Sequence, residues 1–419
     1  MRKNKLILIF GLINLMPIFF DLLSVYFGSY DNSISKYAPM NLDEIIGYFI
    51  YSLIYLLIFS LAFYFFSSKI YIIEINVNHR DFGYCIKIAY IVYVFCLLLS
   101  LIILYDIYLQ GVISYMISTR SGQVKIGILI YFILIFFPII IGVLLHKQHF
   151  FRWAAFGIVI LVMLNLITGF RILLFFGLAI ITLLHYKKIH RMNKYVLFFL
   201  GFCFLLLMYY YQEYREVVQG ALDGSSRGIV DSLNRSIPIH TMKLAFDNSV
   251  SINFIQFLEL LILPLIIIMN SVLSLNEFYL YDPIELSERL YSGYIYWRNG
   301  YYGIANGFSI NNLAFSFILM DGAGIFIIPL VSAAICSLGA KLYQSGSVMR
   351  RVAGTLLIIF TIFSIMESFV EAWKLLVYSM IFIVLIITTG SILRIIIFGG
   401  GRRALSENVV SKVENAQLS

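Results

Sequence analysis

From residue 6 to residue 398 the chain keeps returning to one pattern, an apolar stretch of roughly the length that crosses a bilayer, then a polar break. A helix advances ~1.5 Å per residue, so about 20 mostly apolar residues cross a hydrocarbon core ~30 Å thick. Inside lipid no water reaches the backbone, so every N–H and C=O must be satisfied within the protein. Helices do this within a single segment. The pattern therefore predicts an all-α, polytopic integral membrane protein. Spans are drawn at 6–27, 45–66, 84–105, 126–145, 153–168, 172–186, 195–211, 324–344, 353–370 and 375–398. The expected count is about 10 transmembrane helices, with 10–12 as the range.

Composition agrees. Hydrophobic residues make up 61% of the 419 and charged residues only 12%, against roughly 45–50% and about 25% in soluble domains. A water-soluble enzyme, a disordered chain and a disulfide scaffold are excluded on that ground. Cys85, Cys96, Cys203 and Cys336 all sit in apolar runs and read as small core residues. The start, Met1-Arg-Lys-Asn-Lys5 before an apolar stretch to Phe27, imitates a signal peptide. The apolar part exceeds the usual 7–15 residues and no small-x-small cleavage site follows, so the expectation is a retained first span.

The net charge of +8 is a topology signal and not a nucleic-acid face. With both termini cytoplasmic, 19 of the 30 basic residues fall on the inner side. Only four of the 22 acidic residues (Glu74, Asp81, Glu407 and Glu414) join them. This is the positive-inside bias. Four regions follow: a seven-helix membrane region, 1–211; a large periplasmic loop, 212–321; a three-helix membrane region, 322–398; and a cytoplasmic tail, 399–419. The loop is 110 residues long and carries 6 Lys/Arg and 11 Asp/Glu. Within it, 254–275 is apolar; a lone crossing there would reverse the positive-inside order downstream. A helix lying on or dipping into the outer face, bent at Pro264, is expected instead.

Several outer residues have the chemistry of a site. Arg227, Asp231 and Arg235 fall at i, i+4 and i+8, one face of a helix. They make either a solvated salt-bridged stripe or a clamp in which arginine forks hold phosphate without a metal. Arg171 has no other charge around it from Trp153 to His185; it either snorkels or faces a cavity. Arg120, in GVISYMISTRSG, poses the same choice more weakly. His240 alone among six histidines lies on the outer side, either as a loop histidine or as a base for a sugar hydroxyl. Segment 278–302 holds nine aromatic residues in 25, among them Tyr294 and Trp297, interleaved with Arg289 and Arg298. Such rings anchor at a membrane boundary or pack on sugar faces. No Asp-x-Asp triplet, Gly-rich phosphate loop, His-x-x-Glu-His pair or Gly-x-Ser-x-Gly elbow occurs.

The order of these features resembles the Wzy-type O-antigen, or polysaccharide repeat-unit, polymerases. The resemblance is carried by GVISYMISTRSG after span three, the TGFR turn between spans five and six, and SSRGIVDSLNR in the outer loop. LELLILPL and the approach NGYYGIANGFSINNLAFSFILMDGAGI extend it, and Arg289 with Gly300 has the family's Arg-x10-Gly spacing. Where the family often carries a glutamate before the next span, this chain has Asn311-Asn312.

The resemblance implies a GT-C-like architecture in the bacterial inner membrane. It implies an inverting, metal-independent glycosyltransferase with no cofactor, acting on undecaprenyl-diphosphate-linked oligosaccharide at the periplasmic face. Under it His240 is the base and Arg227 and Arg235 hold the departing diphosphate. Arg171, Arg215, Arg289, Arg120, Tyr294, Trp297 and Arg298 bind substrate. Membrane lipid and a chain-length regulator protein are the expected partners. Two other functions fit parts of the pattern: an O-antigen ligase joining glycan to lipid A core, and a lipid-linked oligosaccharide flippase. A flippase calls for charges inside the spans, whereas here they gather in one outer segment.

Overall fold

The computed structural model describes residues 41–70, 79–111, 127–146, 150–168, 171–185, 252–273, 294–296, 307–309, 312–345, 347–366 and 372–393, with a few isolated positions such as Phe10, Met242 and Phe369. The described residues are almost entirely helical. In chain order the helices are α1 (Leu42–Lys69), α2 (His79–Gln110), α3 (Gly127–Leu144), α4 (Phe151–Thr168), α5 (Arg171–Leu184) and α6 (Phe254–Leu273). They continue with α7 (Asn312–Ile318), α8 (Gly324–Gln344), α9 (Val348–Met366) and α10 (Ala372–Leu393). Between α6 and α7 lies one antiparallel pair, β1 (Tyr294–Tyr296) and β2 (Gly307–Ser309), with Tyr294 opposite Ser309.

Four of these helices are long and apolar enough to cross a membrane: α1, the Tyr84–Gln110 part of α2, α8 and α10. At ~1.5 Å per residue they span about 32 to 42 Å. Their outward faces match a lipid solvent. On α2, Ile91, Phe95, Leu98, Ile102, Tyr105 and Leu109 are all exposed, at alternating steps of four and three. On α1, Ile46, Ile50, Leu57 and Leu61 do the same. A continuous apolar stripe of that length is not left facing water on a soluble monomer. The chain is an α-helical membrane protein.

The chain divides into two units that do not follow sequence order. The first comprises 1–72, 188–344 and 353–378. Here α1 and α8 pack along their length. Tyr55 lies beside Ser332, and Ser337 donates to the Phe63 carbonyl at 3.3 Å. The contacts advance in the same direction along both helices, so α1 and α8 are parallel. Helix α9 runs back antiparallel to α8 through a close approach at Gly339 and Gly354. A Cβ at Gly339 would lie 2.9 Å from Leu357 Cβ and 3.0 Å from the Gly354 carbonyl. Small residues let backbones come this near, which is how packing holds helices together when lipid removes the hydrophobic drive. Phe360 of α9 has its ring 5.8 Å from Trp373 and 6.0 Å from Phe369. The chain therefore reverses again between α9 and α10.

The second unit comprises 73–187, 345–352 and 379–419. Helices α3 and α5 are parallel: Pro138 meets Gly177, and Gly142 meets Ile180 and Leu184 further along. Helix α4 runs between them in the opposite sense, with Gly157 against Ile141 and Leu161 against Gly177. Tyr93 of α2 fills the space over Gly157 and donates to the Trp153 carbonyl. His146 and His185, at the same end of α3 and α5, both contact the Gly142 carbonyl, at 3.1 and 3.0 Å.

Candidate functional site

The part of the long polar segment that the structure describes is built into the first unit. Asn253 and Gln256 cap α6 by exchanging two hydrogen bonds of 2.9 Å between side chain and backbone. Just before the cap, Ile252 accepts from Met320 N–H at 2.8 Å and donates to the Ile318 carbonyl at 2.9 Å. This single parallel bridge to Leu319 ties the start of α6 to the end of α7. Met320 takes a positive φ of 51°, and Gly322 follows at 95°; together they turn the chain sharply into α8.

Aromatic packing continues the tie. Phe315 of α7 lies 6.0 Å from Phe257 of α6 and stacks on Phe369 at 4.6 Å. Trp373, edge-on to Phe360, donates its indole N–H to the Leu261 carbonyl at 2.9 Å. The proline explains why that carbonyl is within reach. Pro264 has no N–H to offer the Leu260 carbonyl, and its ring opens the helical ladder locally. The Trp373 indole bonds the next carbonyl, that of Leu261, in the same turn.

Beneath this aromatic layer lies a neutral polar cluster. Ser316 donates its one hydroxyl proton to the Leu313 carbonyl at 2.6 Å, so Tyr51 is the donor in the 3.2 Å contact between their oxygens. Asn312 Nδ2 donates to Ser332 Oγ at 3.3 Å. Asn312 and Tyr55 are fully buried. The Tyr55 hydroxyl is near enough to Ser332 and Asn312 to interact with both, yet among the described residues it makes no hydrogen bond of good geometry, and nor does Asn312 Oδ1. Buried polar atoms are rarely left so, because each such atom costs about 1–3 kcal/mol. At the start of α10, next to Trp373, Lys374 is 8% exposed. Glu259, half-buried, stands on α6 two residues before Leu261.

Of the residues expected to carry chemistry, Arg171 begins α5 and Tyr294 begins β1, opposite Ser309. His240, Arg227, Arg235, Arg215, Arg289, Arg120, Trp297 and Arg298 lie outside the described residues, as do the apolar stretch 195–211 and most of 6–27. The expectations for them neither gain nor lose by the fold. Cys85, Cys96 and Cys336 are buried free thiols. Among the described residues no group of three or more His, Cys, Asp or Glu is placed to hold a metal ion. Sequence reasoning passed over Tyr51, Tyr55 and Lys374. The signal for Lys374 was present in MESFVEAWK, where Glu367, Glu371 and Lys374 fall at i, i+4 and i+7 in the break between two apolar runs.

No family model, curated protein or solved structure matches the chain.

Proposed function

We propose that the chain is a metal-independent membrane glycosyltransferase that polymerises oligosaccharide repeat units carried on a polyprenyl diphosphate, at the outer face of a bacterial inner membrane. The observation that carries this reading is the concentration of outer charge in one segment. Residues 212–321 hold the outer histidine, His240, and six of the basic residues. That segment also leads into a buried aromatic and polar floor through the Ile252–Leu319 bridge. About ten spans in a GT-C-like arrangement, with both termini cytoplasmic, belong to the same proposal. The parallel packing of α1 and α8 supports it.

The chemistry follows from what such a substrate must lose. An acceptor sugar hydroxyl attacks the anomeric carbon of the donor. A new C–O bond forms there while the bond to the diphosphate oxygen breaks, and the configuration at carbon inverts. The hydroxyl proton goes to His240, a neutral imidazole near pH 7. Negative charge grows on the departing lipid diphosphate, and Arg227 and Arg235 meet it with fixed donors shielded from bulk water. Arg171, Arg215, Arg289 and Arg120 position the same head group, and Tyr294, Trp297 and Arg298 pack against the glycan.

The test is to incubate purified protein with lipid-linked repeat units and resolve the products by length. Oligomer ladders support the polymerase. Transfer to lipid A core in place of ladders replaces it with a ligase, and translocation without a new glycosidic bond replaces it with a flippase.

A further inference from the structure

We propose that Tyr55, Asn312 and Ser332 hold an ordered water molecule at mid-membrane depth, where it pins α7 to α1 and α8. The site is independent of the function proposed above. Its depth follows from contacts that run one way along three helices. On α1, Phe317 lies edge-on to Tyr48 and Tyr51 at 5.9 and 5.5 Å, Ser316 meets Tyr51, and Asn312 meets Tyr55. On α8, Ser316 lies against Gly324 and Asn312 bonds Ser332. Helix α7 is thus antiparallel to both, with Asn312 at its inner end. Tyr55 is the fourteenth of the 28 residues of α1, about 20 Å from either end. Bulk water does not reach that depth in a bilayer, so polar atoms there must be satisfied from within.

Two such atoms lack a protein partner. The Tyr55 hydroxyl and Asn312 Oδ1 make no hydrogen bond among the described residues, and both side chains are fully buried. Asn312 Nδ2 reaches Ser332 Oγ at 3.3 Å, and the Tyr55 hydroxyl is close enough to both residues to interact with them. The ligand must therefore donate to Asn312 Oδ1, which only accepts, and exchange a second bond with the Tyr55 hydroxyl, which can do either. Water does both. Ser332 Oγ gives it a third partner, within the two to four that a buried water takes. A cation fits less well: Tyr51, Tyr55, Asn312, Ser316 and Ser332 carry no charge to balance it, and an unpaired buried ion is costly. Between helices in lipid, where the hydrophobic drive is missing, a bridging water supplies part of the cohesion.

The experiment is a density map of the full-length wild-type protein in lipid, at a resolution that shows ordered water, paired with thermal unfolding in detergent. A peak within hydrogen-bond reach of both Tyr55 Oη and Asn312 Oδ1 supports the site. A direct bond between Tyr55 and Asn312, or a dry gap, overturns it. Tyr55→Phe removes one of the water's partners and should lower the thermal midpoint by about 2 °C. An unchanged or higher midpoint overturns the site, because losing an unbonded hydroxyl relieves the cost of burying it. Replacing sodium and potassium by choline should leave the wild-type midpoint where it is. A midpoint that rises with sodium gives the site to a cation and overturns the water. The map and the ion exchange use the wild type, so they decide the matter even where the variant does not fold.

Discussion

Alanine at Gly354 should loosen the α8–α9 hairpin, and the structure sets the size of the effect. A Cβ there would stand 2.6 Å from the Gly339 carbonyl oxygen and nearer still to the Tyr343 nitrogen. Both are backbone atoms of a helix and cannot rotate away. Ordinary contact begins at 3.4 Å and the nearest atom, the Tyr343 nitrogen, is at 2.4 Å, so the hairpin must open locally by roughly 1 Å. A gap of 0.5–1 Å forfeits about a quarter to a half of each dispersion contact across it, and overpacking of this kind costs about 1–3 kcal/mol. Gly47 of α1 supplies the control, because nothing lies within 4 Å of its Cβ position. The same substitution there is neutral or slightly stabilising, since alanine is the better helix former by about 1 kcal/mol. Thermal unfolding in detergent, followed by loss of the monodisperse peak on size exclusion, compares the two. A Gly354→Ala protein as stable as Gly47→Ala would refute the close approach of α8 and α9.

Arg227→Ala or Arg235→Ala should abolish long polymer while expression and insertion continue; wild-type ladders from both would remove them from the site. His240→Ala should lose turnover but keep lipid-diphosphate binding, and undiminished turnover would show that another group accepts the proton. Trp373→Phe keeps the ring beside Phe360 but leaves the Leu261 carbonyl without its indole donor, lowering stability by about 1–3 kcal/mol; an unchanged melting temperature would show that this carbonyl finds a donor elsewhere. Single cysteines replacing Leu42 and Ser345, at the start of α1 and the end of α8, should react with an impermeant maleimide from opposite sides of the membrane. Labelling from one side would contradict their parallel crossing.

The helices were legible because lipid imposes a single rule, and each run that satisfies it announces itself. The stretch 324–344 became α8 at the same bounds, 45–66 lies within α1, and 254–275 became α6 with Pro264 inside it. What packs against what was not legible. Tyr55 and Asn312 are 257 positions apart in sequence, and nothing local to either says that α7 folds between α1 and α8. Asn312 could be noticed only as a departure from a family pattern, and its burial beside Ser332 emerged with the fold. Lys374 was hidden for a different reason. A lysine at the end of an apolar run reads as an interface anchor whose head reaches water. The structure buries it beside Trp373, whose indole is tied to α6 at the Leu261 carbonyl.

Sidedness can be argued without counting charges at all. Helices α1 and α8 are parallel, so if both cross the membrane, the number of crossings between them is odd. Five apolar stretches stand between α1 and the polar segment, and three of them, α3, α4 and α5, alternate in direction as successive crossings must. A sixth crossing by α6 alone would set α8 antiparallel to α1. Nor is α7 able to pair with it, since seven residues span only ~10 Å. If those five stretches all cross, as proposed, then α6 must leave the membrane on the side it came from, which its proline break and its tie to Trp373 both allow. The same count places the start of α8 and, two crossings later, the start of α10 on one side.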